Sequence, residues 1–75
     1  MTGTNHRKLR FIRLRTVIDK TGLSRASVYN KLKRGCEYFD ADFPKQIRLG
    51  GGAVAWVEYE IDDWMELQIE RSRNQ

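Results

Sequence analysis

Between residues 25 and 33 lie the side chains best suited to reading the edge of a base pair: Arg25, Ala26, Tyr29, Asn30 and Lys33. If this span is helical, Val28 and Leu32 face inward at i, i+4 and the other five share the opposite face. An arginine there can donate bidentately to guanine O6 and N7, and an asparagine can pair with adenine N6 and N7. A tyrosine can pack on a thymine methyl or bond a phosphate. An ordinary surface helix also carries Arg, Lys and Asn, so the pattern gains meaning only from what positions it.

The preceding residues supply that positioning. Leu14, Val17, Ile18 and Thr21 recur at i, i+3, i+4 and i+7, the apolar stripe of a first short helix, and leave Arg15, Asp19 and Lys20 wet. Thr21-Gly22 ends that helix, because glycine accepts the positive φ that closes it. Ser24 is a good N-cap for the second helix, and Leu23 just before it can staple onto Val28. Two short helices joined by a glycine-containing turn, the second opening on a capped residue, form the frame of a helix-turn-helix.

Charge is segregated along the chain. Residues 1–34 hold ten Lys and Arg against Asp19 alone, a formal +9, whereas residues 35–75 hold four against nine acids, or −5. The sum is the overall +4, but the distribution implies a polyanion-binding face and a solvated back. An anionic membrane surface is a weaker match, since no aliphatic or aromatic stripe is long enough to insert. No run approaches the roughly 18 apolar residues of a membrane span. The basic start resembles a transit peptide in composition, yet it lacks the apolar region of a secretory signal and runs directly into the first helix.

At 75 residues the chain is expected to form one small domain with a modest core, poorly suited to a catalytic cleft. One cysteine, Cys36, excludes an internal disulfide framework. One histidine, His6, leaves no zinc-ligand set, so neither metal nor cofactor is expected. A reducing cytosol fits this usage, with Cys36 a bystander near a helix end rather than a redox centre. Asp62 and Asp63 are adjacent, but neighbours on a helix diverge by about 100°, and no His or Cys partner stands near them for acid–base work. An enzyme is not expected.

After Gly35 the periodicity stops. Residues 36–44, CEYFDADFP, read as an acidic, aromatic loop closed by Pro44. Residues 45–49 and 53–57 flank Gly50, Gly51 and Gly52 and read as a two-stranded hairpin with a flexible tip. Such a hairpin after a helix-turn-helix is a wing, on which Lys45 and Arg48 would meet phosphates. A final helix from Tyr59 to about Arg71 places Ile61, Trp64, Met65 and Gln68 on one face, with acids near its start and Arg71 and Arg73 near its end, the favourable order for the helix dipole. Trp56 and Trp64 are expected as core anchors rather than base-stacking platforms. The expected core is Leu14, Val17, Leu23, Val28, Leu32, Trp56, Ile61 and Trp64.

The tracts FIRLRTVIDKTGLSRASVYNKLKRG, DFPKQIRL and AVAWVEYEIDDWM together resemble the AlpA family of prophage regulators, small winged-helix proteins related to MerR-type domains and to phage excisionases. The resemblance spans nearly residues 11–66. It implies a mainly α fold with a small hairpin, a recognition helix at 24–33 and a wing around 48–55. It also implies sequence-specific duplex binding by a bacterial or phage-encoded cytoplasmic, nucleoid-associated protein. Either promoter regulation, for example of an integrase gene, or an excisionase-like role in recombination directionality would follow.

Under this reading Arg13, Arg15, Ser24, Ser27, Lys31, Arg34, Lys45 and Arg48 would hold the DNA backbone. Residues 1–10 would be a flexible basic arm, 11–71 the domain and 72–75 a tail. Duplex DNA is the expected partner, with cooperative self-association along it. The acidic last helix offers an alternative, an adaptor surface for an integrase or RNA polymerase. An RNA-binding module would instead call for stacking aromatics on an exposed sheet. The chain departs from the family in the inserted acidic stretch CEYFDA before FPK, and in Gly52 where a basic or polar residue precedes AVAW.

Overall fold

Thr21 and Gly22 end the first helix, and Ser24 begins the second. The computed structural model describes residues 8–74 and places α1 at Leu14–Thr21 and α2 at Arg25–Leu32. Gly22 takes φ 76° and donates its N–H to Ile18 O at 2.8 Å. That left-handed conformation strains any side chain, which is why glycine closes the helix here. The Thr21 hydroxyl locks the same turn by donating to Val17 O at 2.7 Å while accepting from the Leu23 amide at 3.2 Å. Ser24 Oγ accepts from the Ser27 amide at 3.0 Å and donates to the Ser27 hydroxyl, also at 3.0 Å. One orphan amide of α2 is thereby satisfied.

Past α2 the chain makes consecutive turns through residues 34–43 and enters β2 at Ile47–Gly50. A glycine-tipped turn leads back along β3, Ala53–Val57. Gly50, Gly51 and Gly52 all hold positive φ, at 99°, 59° and 82°, a run that residues with a Cβ do not sustain. Ile47 pairs with Ala55 and Arg48 with Val54, with a register shift before Gly50 pairs with Ala53.

The expected two-stranded hairpin is in fact part of a three-stranded antiparallel sheet of order β1-β3-β2. The extra strand, β1 at Phe11–Ile12, aligns Phe11 with Val57 and Ile12 with Trp56. Two residues are too few to carry an alternating pattern, so nothing in the local sequence announces this strand. Strand β2 also starts two residues later than expected, so Lys45 stands on the approach to the wing rather than in it.

β3 leads without a linker into α3, Glu58–Arg73. The first amide of α3, on Glu58, donates to Arg10 O at 2.8 Å, so the segment before β1 serves as its cap. Glu58 and Glu60 occupy the first turn and Arg71 and Arg73 the last, as the dipole favours. The helix continues through two residues assigned above to a tail. Residues 1–7 and 75, which include His6 and most of the expected basic arm, lie outside the described residues. Among the described residues no helix is long and apolar enough to cross a membrane.

The core gathers Ile12, Val17, Val28, Phe43, Trp56, Ile61 and Trp64. Leu14, Leu23 and Leu32, expected inside, are only half-buried and pack around its rim, because α1 and α2 are short and their outer turns lie close to solvent. Ala55 and Val57 join Trp56 in burial. A central strand covered on both faces buries consecutive residues rather than alternate ones.

Phe43, read as part of a loop, is buried edge-on against Trp64 with ring centroids 5.0 Å apart. The Trp64 indole N–H donates to Asp40 Oδ2 at 3.0 Å, and the Asp40 amide reaches back to Lys31 O at 3.0 Å. Arg71 holds Asp42 at 2.7 Å. The connector is therefore fastened to both α2 and α3.

Candidate nucleic-acid interface

On α2 the inward residues are Val28 and, less completely, Leu32, so the crest most distant from the core carries Ala26 and Asn30. Arg25, Ala26, Tyr29 and the capping Lys33 are exposed, and Asn30 is half-buried. The five expected reading residues thus lie on one solvent-facing arc but not on one line. Arg25 and Tyr29 lean toward a shallow groove that they share with Arg13, Arg15 and, from the wing strand, Val54. Asn30 belongs to the other flank, where it adjoins Ser27 and Tyr38. The crest sits between these two borders.

The cations expected to hold a backbone separate into two groups. Arg13 and Arg15 are exposed beside the start of α1 and border Arg25. Arg34, Lys45 and Arg48, also exposed, surround a second depression at the end of α2 and the base of the wing. Lys31 lines that second depression as well, half-buried against the connector with its Nζ 5.5 Å from the centroid of the Trp64 ring. Arg34 lies 5.9 Å over Phe39. Of the hydroxyls, Ser24 and Ser27 are already tied together in the cap. The wing tip, Gly50 to Gly52, is exposed.

Lys20 is not the wet side chain that its place on α1 suggested. Its Nζ lies 2.9 Å from Asp62 and 3.1 Å from Glu58, both on α3. The bonds to Asp62 and then Glu58 raise its pKa above the ordinary lysine value, against the smaller opposing effect of burial. Arg10 also approaches Glu58, at 3.9 Å. The basic and acidic halves of the chain are thus partly sewn together, and Lys20 and Arg10 are turned toward α3 rather than contributed whole to the positive face.

The titration of the Asp40 carboxyl is displaced downward. Burial alone would push its pKa up. The Trp64 indole N–H, the Asp42 amide and the charges of Lys31 and Arg71 together outweigh this and hold it below the ordinary value. Its contribution to stability is therefore present above the unfolded value of about 3.9 and is lost as the pH falls through the folded one. Between about pH 5 and pH 2, the urea midpoint of the parent is expected to fall more steeply than that of Asp40→Asn, which retains an acceptor for Trp64. Parallel curves for the two proteins would exclude an ionised Asp40 as a contributor.

Sequence reasoning missed the placement of Tyr38 and Phe39, both exposed and both beside α2. They lie in an aperiodic run, and only the fastening of the connector by residues further along brings them there.

Two short helices meeting at a capped turn, followed by a glycine-tipped hairpin and a packing helix, define a winged helix-turn-helix. The model of the Prophage CP4-57 regulatory protein (AlpA) family matches residues 10–69. The chain belongs to the AlpA family of prophage regulatory proteins. It is 44% identical over 61 residues to the DNA-binding transcriptional activator AlpA of Escherichia coli (strain K12), an alignment covering 81% of this chain and 87% of that protein. It is also 39% identical over 60 residues to the uncharacterized protein ORF88 of Enterobacteria phage P4, covering 80% of this chain but 61% of the phage protein. No solved structure matches the chain significantly.

Proposed function

We propose that this protein is a sequence-specific duplex-DNA-binding regulator of a prophage or mobile element, acting in the bacterial cytoplasm at a promoter such as that of an integrase gene. The observation that carries the reading is the arc Arg25, Ala26, Tyr29, Asn30 and Lys33, exposed except for the half-buried Asn30, on a helix whose start is set by the Ser24 cap, with cations lining two neighbouring depressions. The E. coli relative's name as a DNA-binding transcriptional activator supports it. In this reading α2 enters the major groove, where donor and acceptor patterns distinguish all four base pairs. Arg13 and Arg15 hold one stretch of backbone, and Arg34, Lys45 and Arg48 hold another.

Selecting sites from a random duplex pool supplies the test. On the recovered site, Arg25→Ala and Asn30→Ala are each expected to cost about 1–3 kcal/mol, with much smaller losses on random duplex, because each removes a base contact. Lys45→Ala and Arg48→Ala are expected to weaken both by similar factors. Equal effects of Arg25→Ala and Lys45→Ala on specific and random DNA would refute the recognition-helix assignment.

Activation requires a surface for RNA polymerase, and α3 offers a candidate: Glu66, Ile69 and Glu70 are exposed and line a shallow depression made of α3 residues and Asn74. An excision factor would use the same helix toward an integrase and would bend its DNA when several copies occupy adjacent sites cooperatively. Gel mobility of circularly permuted fragments separates the two. Position-independent mobility with single-site binding favours local promoter regulation.

A further inference from the structure

We infer that the connector between α2 and β2 is a second DNA-contacting element, in which Tyr38 reaches the sugar-phosphate backbone on the side of the recognition helix opposite the wing. This inference rests on the duplex binding through α2 proposed above and extends it to residues outside the helix-turn-helix and the wing.

The first support is position. Arg25 and Tyr29, one turn apart on α2, share a groove with Val54 of the wing strand. Ser27 and Asn30, displaced around the helix, share with Leu23, Lys31 and Tyr38 a separate depression of about 170 Å³. The crest of Ala26 and Asn30 is therefore bordered by the wing strand on one side and by Tyr38 on the other. The later connector residues Phe39 to Ala41 line a depression with Arg48 of the wing, but a helix seated in a major groove has a phosphate strand on each side of it, and Tyr38 is offered to the strand that the wing does not reach.

The second support is rigidity. The connector leaves α2 through two successive turns, with the Cys36 amide on Lys33 O at 3.1 Å and the Phe39 amide on Cys36 O at 3.0 Å. Its far end is fastened by the Asp40–Trp64 bond, the Asp42–Arg71 pair and the buried Phe43 ring. The intervening Tyr38 nevertheless stands 62% exposed. A tyrosine on a fixed loop presents a flat apolar ring to deoxyribose and a hydroxyl donor to phosphate, with few rotamers to immobilise on binding.

The third support is charge. A loop containing Glu37, Asp40 and Asp42 looks hostile to a polyanion, but Asp40 and Asp42 are turned away toward Trp64 and Arg71 of α3. Glu37 remains exposed next to Tyr38. Its charge has the wrong sign for phosphate, so its removal gives a signed test.

Three full-length proteins, the parent, Tyr38→Phe and Glu37→Gln, would be compared on the duplex selected by the parent, by fluorescence anisotropy and hydroxyl-radical footprinting, after equal thermal unfolding has been verified. Tyr38→Phe is expected to weaken binding about three- to tenfold, the effect of one lost hydrogen bond, and to remove protection from the backbone on the side opposite the wing. Glu37→Gln is expected to tighten binding about two- to fivefold at low salt, with the gain fading as salt is raised. Unchanged affinities and footprints in both variants, while Arg25→Ala still loses affinity, would overturn this inference alone. Failure of the parent to select any duplex would overturn both this inference and the reading on which it rests.

Discussion

Raising the salt from about 50 to about 200 mM is expected to weaken binding to the preferred duplex by roughly 500-fold. The figure follows from the cations that the fold leaves available. Six cations are the expected backbone contacts, Arg13, Arg15, Lys31, Arg34, Lys45 and Arg48, and if all six met phosphates the slope of log K against log salt would be about −5.4. Lys20 is engaged by Asp62 and Glu58, Arg10 approaches Glu58, and Lys31 lies over Trp64. Arg13, Arg15, Arg34, Lys45 and Arg48 remain exposed, and under the proposed function they would meet about five phosphates, a slope of about −4.5. Fluorescence anisotropy at several salt concentrations measures it directly. Arg13→Gln is expected to flatten the slope by about 0.9, whereas Lys20→Gln leaves it unchanged, since that charge already faces carboxylates. A slope near zero would remove the electrostatic basis of the proposed function.

The engagement of Lys20 and Arg10 by Glu58 and of Lys31 by Trp64 marks the limit of what the sequence alone could convey. The helix-turn-helix was legible because its determinants are local: the stripe of Leu14, Val17 and Ile18, the left-handed Gly22 and the Ser24 cap lie within one another's reach along the chain. The wing was legible for the same reason, with three glycines between two β-rich segments. Lys20 and Glu58 are 38 positions apart, and Asp40 and Trp64 are 24 apart. No period or cap announces such pairs. β1 escaped because two residues that pair with β3 have no pattern of their own. Of the expected reading residues on α2, Arg25, Ala26, Tyr29 and Lys33 are exposed and Asn30 is half-buried, and the division between the groove at Arg25 and the flank at Asn30 depends on which tertiary neighbours border it. Those neighbours, Val54 and Tyr38, come from elements distant in sequence.

The connector is the sharpest case, because its sequence reads as an acidic, aromatic loop and its structure places Phe43 in the core. Phe43→Ala is expected to destabilise the domain by about 3–5 kcal/mol, the range for truncating a buried aromatic ring. A chain of this length has a total stability of roughly 4–11 kcal/mol, so this one change consumes much of the margin. The site cannot easily collapse around the loss, since Phe43 packs edge-on against Trp64, whose indole is held by Asp40. Asp40→Ala is expected to cost less, about 1–3 kcal/mol, through the indole N–H left without its acceptor. Tyr38→Ala, at an exposed position, should stay within about 0.5 kcal/mol. Urea unfolding followed by tryptophan fluorescence ranks the three, with Trp64 as a reporter inside the affected contact. If Phe43→Ala cost no more than Tyr38→Ala, the connector would be an appendage, and nothing would hold Tyr38 in place beside the recognition helix. The predicted order instead ties the interface to the core: the ring that stabilises the domain also fixes the loop that borders α2.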